Sequence, residues 1–171
     1  MNAFFSSYLT LILYAVSNIA AILLLIACYK RPLIARFCFA LLFAWASWFN
    51  ATTALATPWV YTDFADYAVL DVYRWFILGP FGKVATPLIL TIAAGQLFIS
   101  VSMPSTGRLF KMGCVAGILF SIGILPLGIG AAFPAMVFIA MGFYQLWRHP
   151  ADRQLLKRPV IQSSGRRLQP H

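Results

Sequence analysis

Hydrophobic positions in this chain fall in long unbroken blocks, separated by short clusters of proline, glycine and charge. Five blocks stand out, at residues 4–29, 33–55, 84–103, 108–125 and 131–147. A helix needs roughly 20 apolar residues to cross a hydrocarbon layer ~30 Å thick, at ~1.5 Å per residue. The blocks are continuous rather than short alternating strands, so they predict a polytopic all-α membrane bundle and not a barrel.

The breaks between blocks carry the turn chemistry. Lys30, Arg31 and Pro32 separate the first two, and Pro104-Ser105-Thr106-Gly107 separates the third and fourth. Pro126 to Pro134 reads as an uncharged hairpin, with Gly128-x-Gly130 inside it as a loose turn. That pair lacks a preceding strand and a third glycine, so it carries no dinucleotide signal. Pro87 is expected in the first turn of the third span, where a missing N–H is tolerated. Arg148, His149 and Pro150 end the fifth block, and residues 150–171 read as a basic, flexible tail.

The longest break is Pro58–Gly82, PWVYTDFADYAVLDVYRWFILGPFG, and it differs in kind. It holds Asp63, Asp66 and Asp71, three of the four acidic residues in the chain. Phe64, Tyr67, Asp71 and Trp75 recur at helical spacing, which predicts a short amphipathic helix over residues 63–77 lying on a membrane face. Asp63 and Asp66 would occupy its first turn, favoured by the positive end of the helix dipole.

Composition agrees with a membrane chain: 61% of residues are hydrophobic and 10% charged, and the mean hydropathy is +0.82. Charge then sets the orientation. Of the 13 basic residues, all but Arg74 and Lys83 fall in the first and third connections or the tail. With five spans, the excess of Lys and Arg on alternate connections places the N-terminus outside and the C-terminus in the cytoplasm of a bacterial inner membrane. The net charge of +9 is accounted for by topology and attraction to anionic lipid headgroups, so no nucleic-acid partner is expected. Residues 4–29 read as a retained helix rather than a signal peptide, since no basic stretch precedes them. Leu25-Ile26-Ala27-Cys28 resembles a lipoprotein cleavage box, but Lys30 and Arg31 place it on the cytoplasmic side.

Few residues offer chemistry. His149 and His171, the only histidines, lie at or beyond the cytoplasmic end, so no haem ligated by histidine is expected. Cys28, Cys38 and Cys114 form no C-x-x-C pair and read as buried apolar filler, with no metal site expected. No acidic or basic residue is expected in mid-membrane, which disfavours an autonomous pump. Gly113, Gly117 and Ser121 form a small-residue stripe for close helix packing within the bundle, or less readily for a dimer. The polar residues left inside are Asn18, Asn50, Gln96, Ser100 and Ser121, read first as interhelical glue. The candidate ligand-binding set is Asn50, Gln96, Trp48, Trp59 and Arg74, with nearby rings as an interfacial belt or pocket wall. Asp63, Asp66 and Asp71 form the candidate partner-docking set.

From Arg36 to Trp147 the chain resembles the DoxX-like small membrane proteins, a superfamily that includes the DoxD subunit of thiosulfate:quinone oxidoreductases. The residues that carry the resemblance are Arg36-Phe-Cys-Phe-Ala-Leu-Leu-Phe43-Ala-Trp-Ala-Ser, Gly95-Gln96-Leu-Phe-Ile-Ser and Thr106-Gly107-Arg108-Leu109. The resemblance implies a four-helix core, to which residues 4–29 add an N-terminal helix. Relatives often have an acidic residue where Gln96 stands and a lysine near Asn50. Neutral amides occupy both places here, which favours a structural role. Counted from the cytoplasmic ends, Asn50 and Gln96 lie at different depths, so a contact between them is not inferred.

Three functions follow as expectations. The first is an accessory or anchoring subunit of a quinone-linked oxidoreductase complex, with no redox centre of its own and with membrane or periplasmic protein partners. The second is a quinone-binding protein that uses the outer rings with Arg74 and Asp63, Asp66 or Asp71. The third is a permease for small uncharged solutes, weakened by the lack of an inverted repeat. No residue is singled out as catalytic.

Overall fold

A computed structural model describes the backbone of residues 2–149 and the side chains of Tyr8 and residues 11–149. The expected basic tail lies outside the described residues. Every regular element among them is helical: α1 (Asn2–Lys30), α2 (Pro32–Ala56), α3 (Asp71–Leu78), α4 (Phe81–Ser102), α5 (Gly107–Ile124) and α6 (Ala135–Arg148). Two 3-10 segments, Pro58–Asp66 and Leu125–Ala131, complete the order.

Four stretches are long and apolar enough to cross a membrane: Leu11–Lys30, Pro32–Ala56, Phe81–Ser102 and Gly107–Ala131. The fifth block does not reach that length. Ala132 takes a left-handed conformation with φ of 55°, and Phe133 and Pro134 complete a turn, so α6 starts only at Ala135. Its 14 residues extend ~21 Å, short of the ~30 Å core. At the other boundary α4 starts three residues earlier than the pattern predicts. Pro87 consequently lies inside the helix rather than in its first turn.

Five helices close a ring in the order α1, α2, α4, α5, α6 and back to α1. Aromatic side chains fill its centre. Phe39 stacks on Phe143 at 4.2 Å between centroids, and Phe43 meets Phe143 edge-on at 5.5 Å. Such pairs add specificity to the area they bury. The small-residue stripe of α5 is used inside this ring. A Cβ at Gly113 would fall 1.7 Å from Ser102 Oγ, and one at Gly117 would fall 2.5 Å from the Phe143 ring. The glycines therefore let α4 and α6 approach α5. By contrast, α1 fully buries only Ala21 and Cys28 among its described side chains, with Leu24 and Ala27 packed beside them against the core, and most of the others are exposed. Cys28 and Cys114 are buried as expected, but Cys38 is exposed. It sits one residue off the Ala35, Phe39, Phe43 stripe that α2 turns inward.

The two ends of the ring differ. The α1–α2 and α4–α5 turns share one end, since Arg36 reaches the backbone after α4. The end of α6 returns there too, for Gly142 packs against Cys28. At the opposite end lies a cap made from residues 58–78 and the second 3-10 segment. It covers a smaller core of Ala54, Ala65, Ile77, Phe81, Ala85 and Ile89.

Within the cap the continuous helix expected over residues 63–77 is broken in two. Asp63 and Asp66 belong to the 3-10 segment, residues 67–70 are non-helical, and Asp71 supplies the acidic first turn of α3. The cause is a backbone bond: the Val69 N–H donates to Pro126 O at 2.9 Å, which draws the chain out of helical geometry. Gly128 makes that approach possible. Its φ is +59°, and a Cβ there would lie 2.7 Å from Tyr67 O. The glycine pair read as a loose turn is thus the seat of the cap.

Candidate functional site at the α2–α4 seam and the outer cap

Hydroxyl groups stitch α2 to α4. Ser100 Oγ donates to Ala40 O at 2.7 Å, Ser47 Oγ to Ala93 O at 2.7 Å and Thr86 Oγ1 to Ala54 O at 3.2 Å. These bonds fix an antiparallel register in which Asn50 is level with Leu90, and Gln96 with Ala44. The two amides are thus about six residues, or ~9 Å, apart along the axis. They nevertheless meet, with Asn50 Nδ2 donating to Gln96 Oε1 at 2.8 Å. Each Cα–Cβ bond leans toward its own helix N-terminus. In antiparallel helices with this offset, the two side chains lean toward each other. A count of depth by backbone position omits that lean, so it gave no ground for inferring the contact.

The bond extends outward. Tyr61 Oη, from the cap, donates to Asn50 Oδ1 at 2.9 Å. Gln96 is 2% exposed, whereas Asn50 and Tyr61 are half-buried. A hydrogen-bonded line therefore runs from the rim of the bundle to its interior. Burial pushes the Tyr61 phenol above its ordinary value of 10.0, against a smaller lowering by Thr53. The group remains a proton donor throughout the neutral range.

The remaining candidates lie elsewhere. Trp48 is 63% exposed on the outer face of α2, and Trp59 is 65% exposed on the cap. Arg74 lines a separate open groove of about 440 Å³ with Asp71, Trp75, Leu78 and Gly79. Asp63, Asp66 and Asp71 are all exposed. Among the described residues none of the three carboxylates has an ion-pair partner. The structure thus joins Asn50 to Gln96 but places Trp48, Trp59 and Arg74 apart from that pair. Asn18 bonds within its own helix, to Tyr14 O at 3.0 Å, and leaves Oδ1 buried without a partner among the described residues.

One residue escaped the sequence reading. Arg36, read there as a boundary charge and as the start of the segment carrying the resemblance but not as a buried group, is 2% exposed. Its Nε donates to Met103 O at 2.8 Å, Nη2 donates to Ser105 O, and the guanidinium lies 3.7 Å from the Phe110 ring centroid. The carbonyl end of α4 carries the negative pole of that helix, so it suits a cation. A signal was present: Arg36 precedes Phe39 by three residues and Phe43 by seven, on the inward stripe.

The class defined by this fold is a multi-pass helical membrane protein. No protein-family model, no curated protein and no solved structure matches the chain.

Proposed function

We propose that the protein is an anchoring subunit of a quinone-linked oxidoreductase complex in a bacterial inner membrane. In this reading the N-terminus lies outside, the C-terminus lies in the cytoplasm, and the cap receives a periplasmic protein partner. The observation that carries the proposal is the division of polar groups between interior and cap. Inside, Asn50, Gln96, Ser47 and Ser100 spend their hydrogen bonds on holding α2 to α4. On the cap, three carboxylates and the indoles of Trp59 and Trp75 face outward. Rings beside unpaired charge are what a protein interface uses, the rings as buried contacts and the charge for orientation. The basic end, with Lys30, Arg31, Arg108, Lys111 and Arg148, supports the orientation. The resemblance to the DoxX-like proteins supports the link to quinone metabolism, and the scarcity of histidine supports redox chemistry housed in the partner.

Purification in mild detergent tests the reading. A partner subunit should copurify in fixed stoichiometry and should be lost from an Asp63→Asn, Asp66→Asn, Asp71→Asn variant at moderate salt. A chain that always emerges alone, or a partner retained equally by the variant, contradicts it.

A second reading is favoured by the Tyr61–Asn50–Gln96 line: the phenol proton is committed to Asn50 Oδ1, and Asn50 Nδ2, which gives one N–H to Gln96, has a second to donate to a quinone carbonyl at the rim. Organic extraction of the purified protein should then release a quinone, and Asn50→Leu should abolish the release.

A further inference from the structure

Near the basic end, a groove of about 400 Å³ opens on the outer surface of the bundle. Phe98 of α4, Lys111, Met112, Val115 and Leu119 of α5, and Trp147 of α6 line it. Its long dimension follows α5 from Lys111 to Leu119, ~12 Å at the helical rise. All of its lining is apolar except Lys111 at one end, and Lys111, Met112 and Leu119 are exposed. Arg108 and Arg148 are exposed at the same end of the bundle. An apolar trough with cations at its mouth has the pattern of a phospholipid: a hydrocarbon chain lying along the helix and a phosphate at the interface. Trp147 belongs at that same depth, where indoles are favoured.

We propose that this groove binds one acyl chain of an anionic phospholipid, with Lys111 holding the phosphate. A second copy of the chain fits it poorly. In a membrane both copies share one orientation, so the face meeting Lys111 would come from the basic end. The described acidic residues, Asp63, Asp66 and Asp71, all sit at the opposite end. The glycines of α5 that could admit a close helix partner already face Ser102 and Phe143 inside the ring.

The test uses the full chain, stripped of lipid in neutral detergent. It is offered equal amounts of phosphatidylglycerol and phosphatidylcholine with matched acyl chains, and retained lipid is read by native mass spectrometry. Phosphatidylglycerol should be retained in preference. Lys111→Gln should lower that preference about fivefold, the contribution of one basic residue near an anionic surface, and Lys111→Arg should keep it. Leu119→Trp, which fills the trough, should lower retention of both lipids. Lys83→Gln, at the other end of α4, should change nothing. Equal retention of both lipids by the unmodified chain overturns the proposal, as does a preference that survives both Lys111→Gln and Leu119→Trp. A lipid-free dimer that Leu119→Trp dissociates also overturns it, since a second copy would then be the occupant.

Discussion

Replacing Arg36 with Met should cost far more stability than a boundary charge would. The side chain is 2% exposed, donates to Met103 O and Ser105 O, and lies over Phe110. Hydrogen bonds from a charged donor are worth ~1.5–3 kcal/mol each, and a cation over a ring adds ~0.5–2 kcal/mol. Methionine recovers the packing of the aliphatic stem but leaves the carbonyls after α4 without these donors. A net loss of about 3 kcal/mol follows. Lysine keeps the charge but not the planar fork that serves two carbonyls at once, so Arg36→Lys should lose about 1–2 kcal/mol. Reversible unfolding in mixed micelles gives these differences, and hydrogen exchange at residues 103–107 locates them. An Arg36→Met protein within ~0.5 kcal/mol of the parent, the scatter of an ordinary surface change, with unchanged exchange in that turn, would refute the reasoning.

A double-mutant cycle of Asn50→Leu and Gln96→Leu should return a coupling of ~0.6–2 kcal/mol, the range for interhelical polar pairs; additivity would mean the amides do not meet in the membrane. Gly117→Leu should destabilise by ~1–3 kcal/mol or more through overpacking against Phe143, whereas Gly95→Ala, with open space around its Cβ position, should be neutral or slightly stabilising. Because the Tyr61 phenol is raised from 10.0 in the folded protein, folding keeps a proton that the unfolded chain releases. Stability present below pH 10 should therefore be lost as pH rises through the folded value, and Tyr61→Phe should flatten that alkaline limb of the thermal-unfolding profile.

What the sequence made legible was the part of the fold governed by lipid. Unbroken apolar blocks and basic breaks located α1, α2, α4 and α5 to within a few residues, because the cost of exposing backbone in hydrocarbon leaves few alternatives. The cap was not legible in the same way. Its break at residues 67–70 depends on Pro126, more than fifty residues away in sequence and invisible to helical periodicity. The shortened α6 likewise follows from the turn at Ala132, where alanine gives no warning of a left-handed backbone. At the seam, Asn50 and Gln96 were singled out as residues but not as a pair, because the lean of side chains in antiparallel helices decided their contact. Arg36 was hidden by its sequence neighbours: beside Lys30 and Arg31 it looked like a third boundary charge, though its spacing to Phe39 and Phe43 placed it on the inward face.

The central claim is that the cap of this membrane bundle receives a protein partner. Trp75, 66% exposed beside Asp71 and Arg74, is the position from which to test it. A photo-crosslinking amino acid placed there, in cells and with the intact chain, should yield one dominant protein adduct. That adduct should disappear when Asp63, Asp66 and Asp71 are changed to Asn. Crosslinks to lipid alone, or an adduct indifferent to the three carboxylates, would contradict the account.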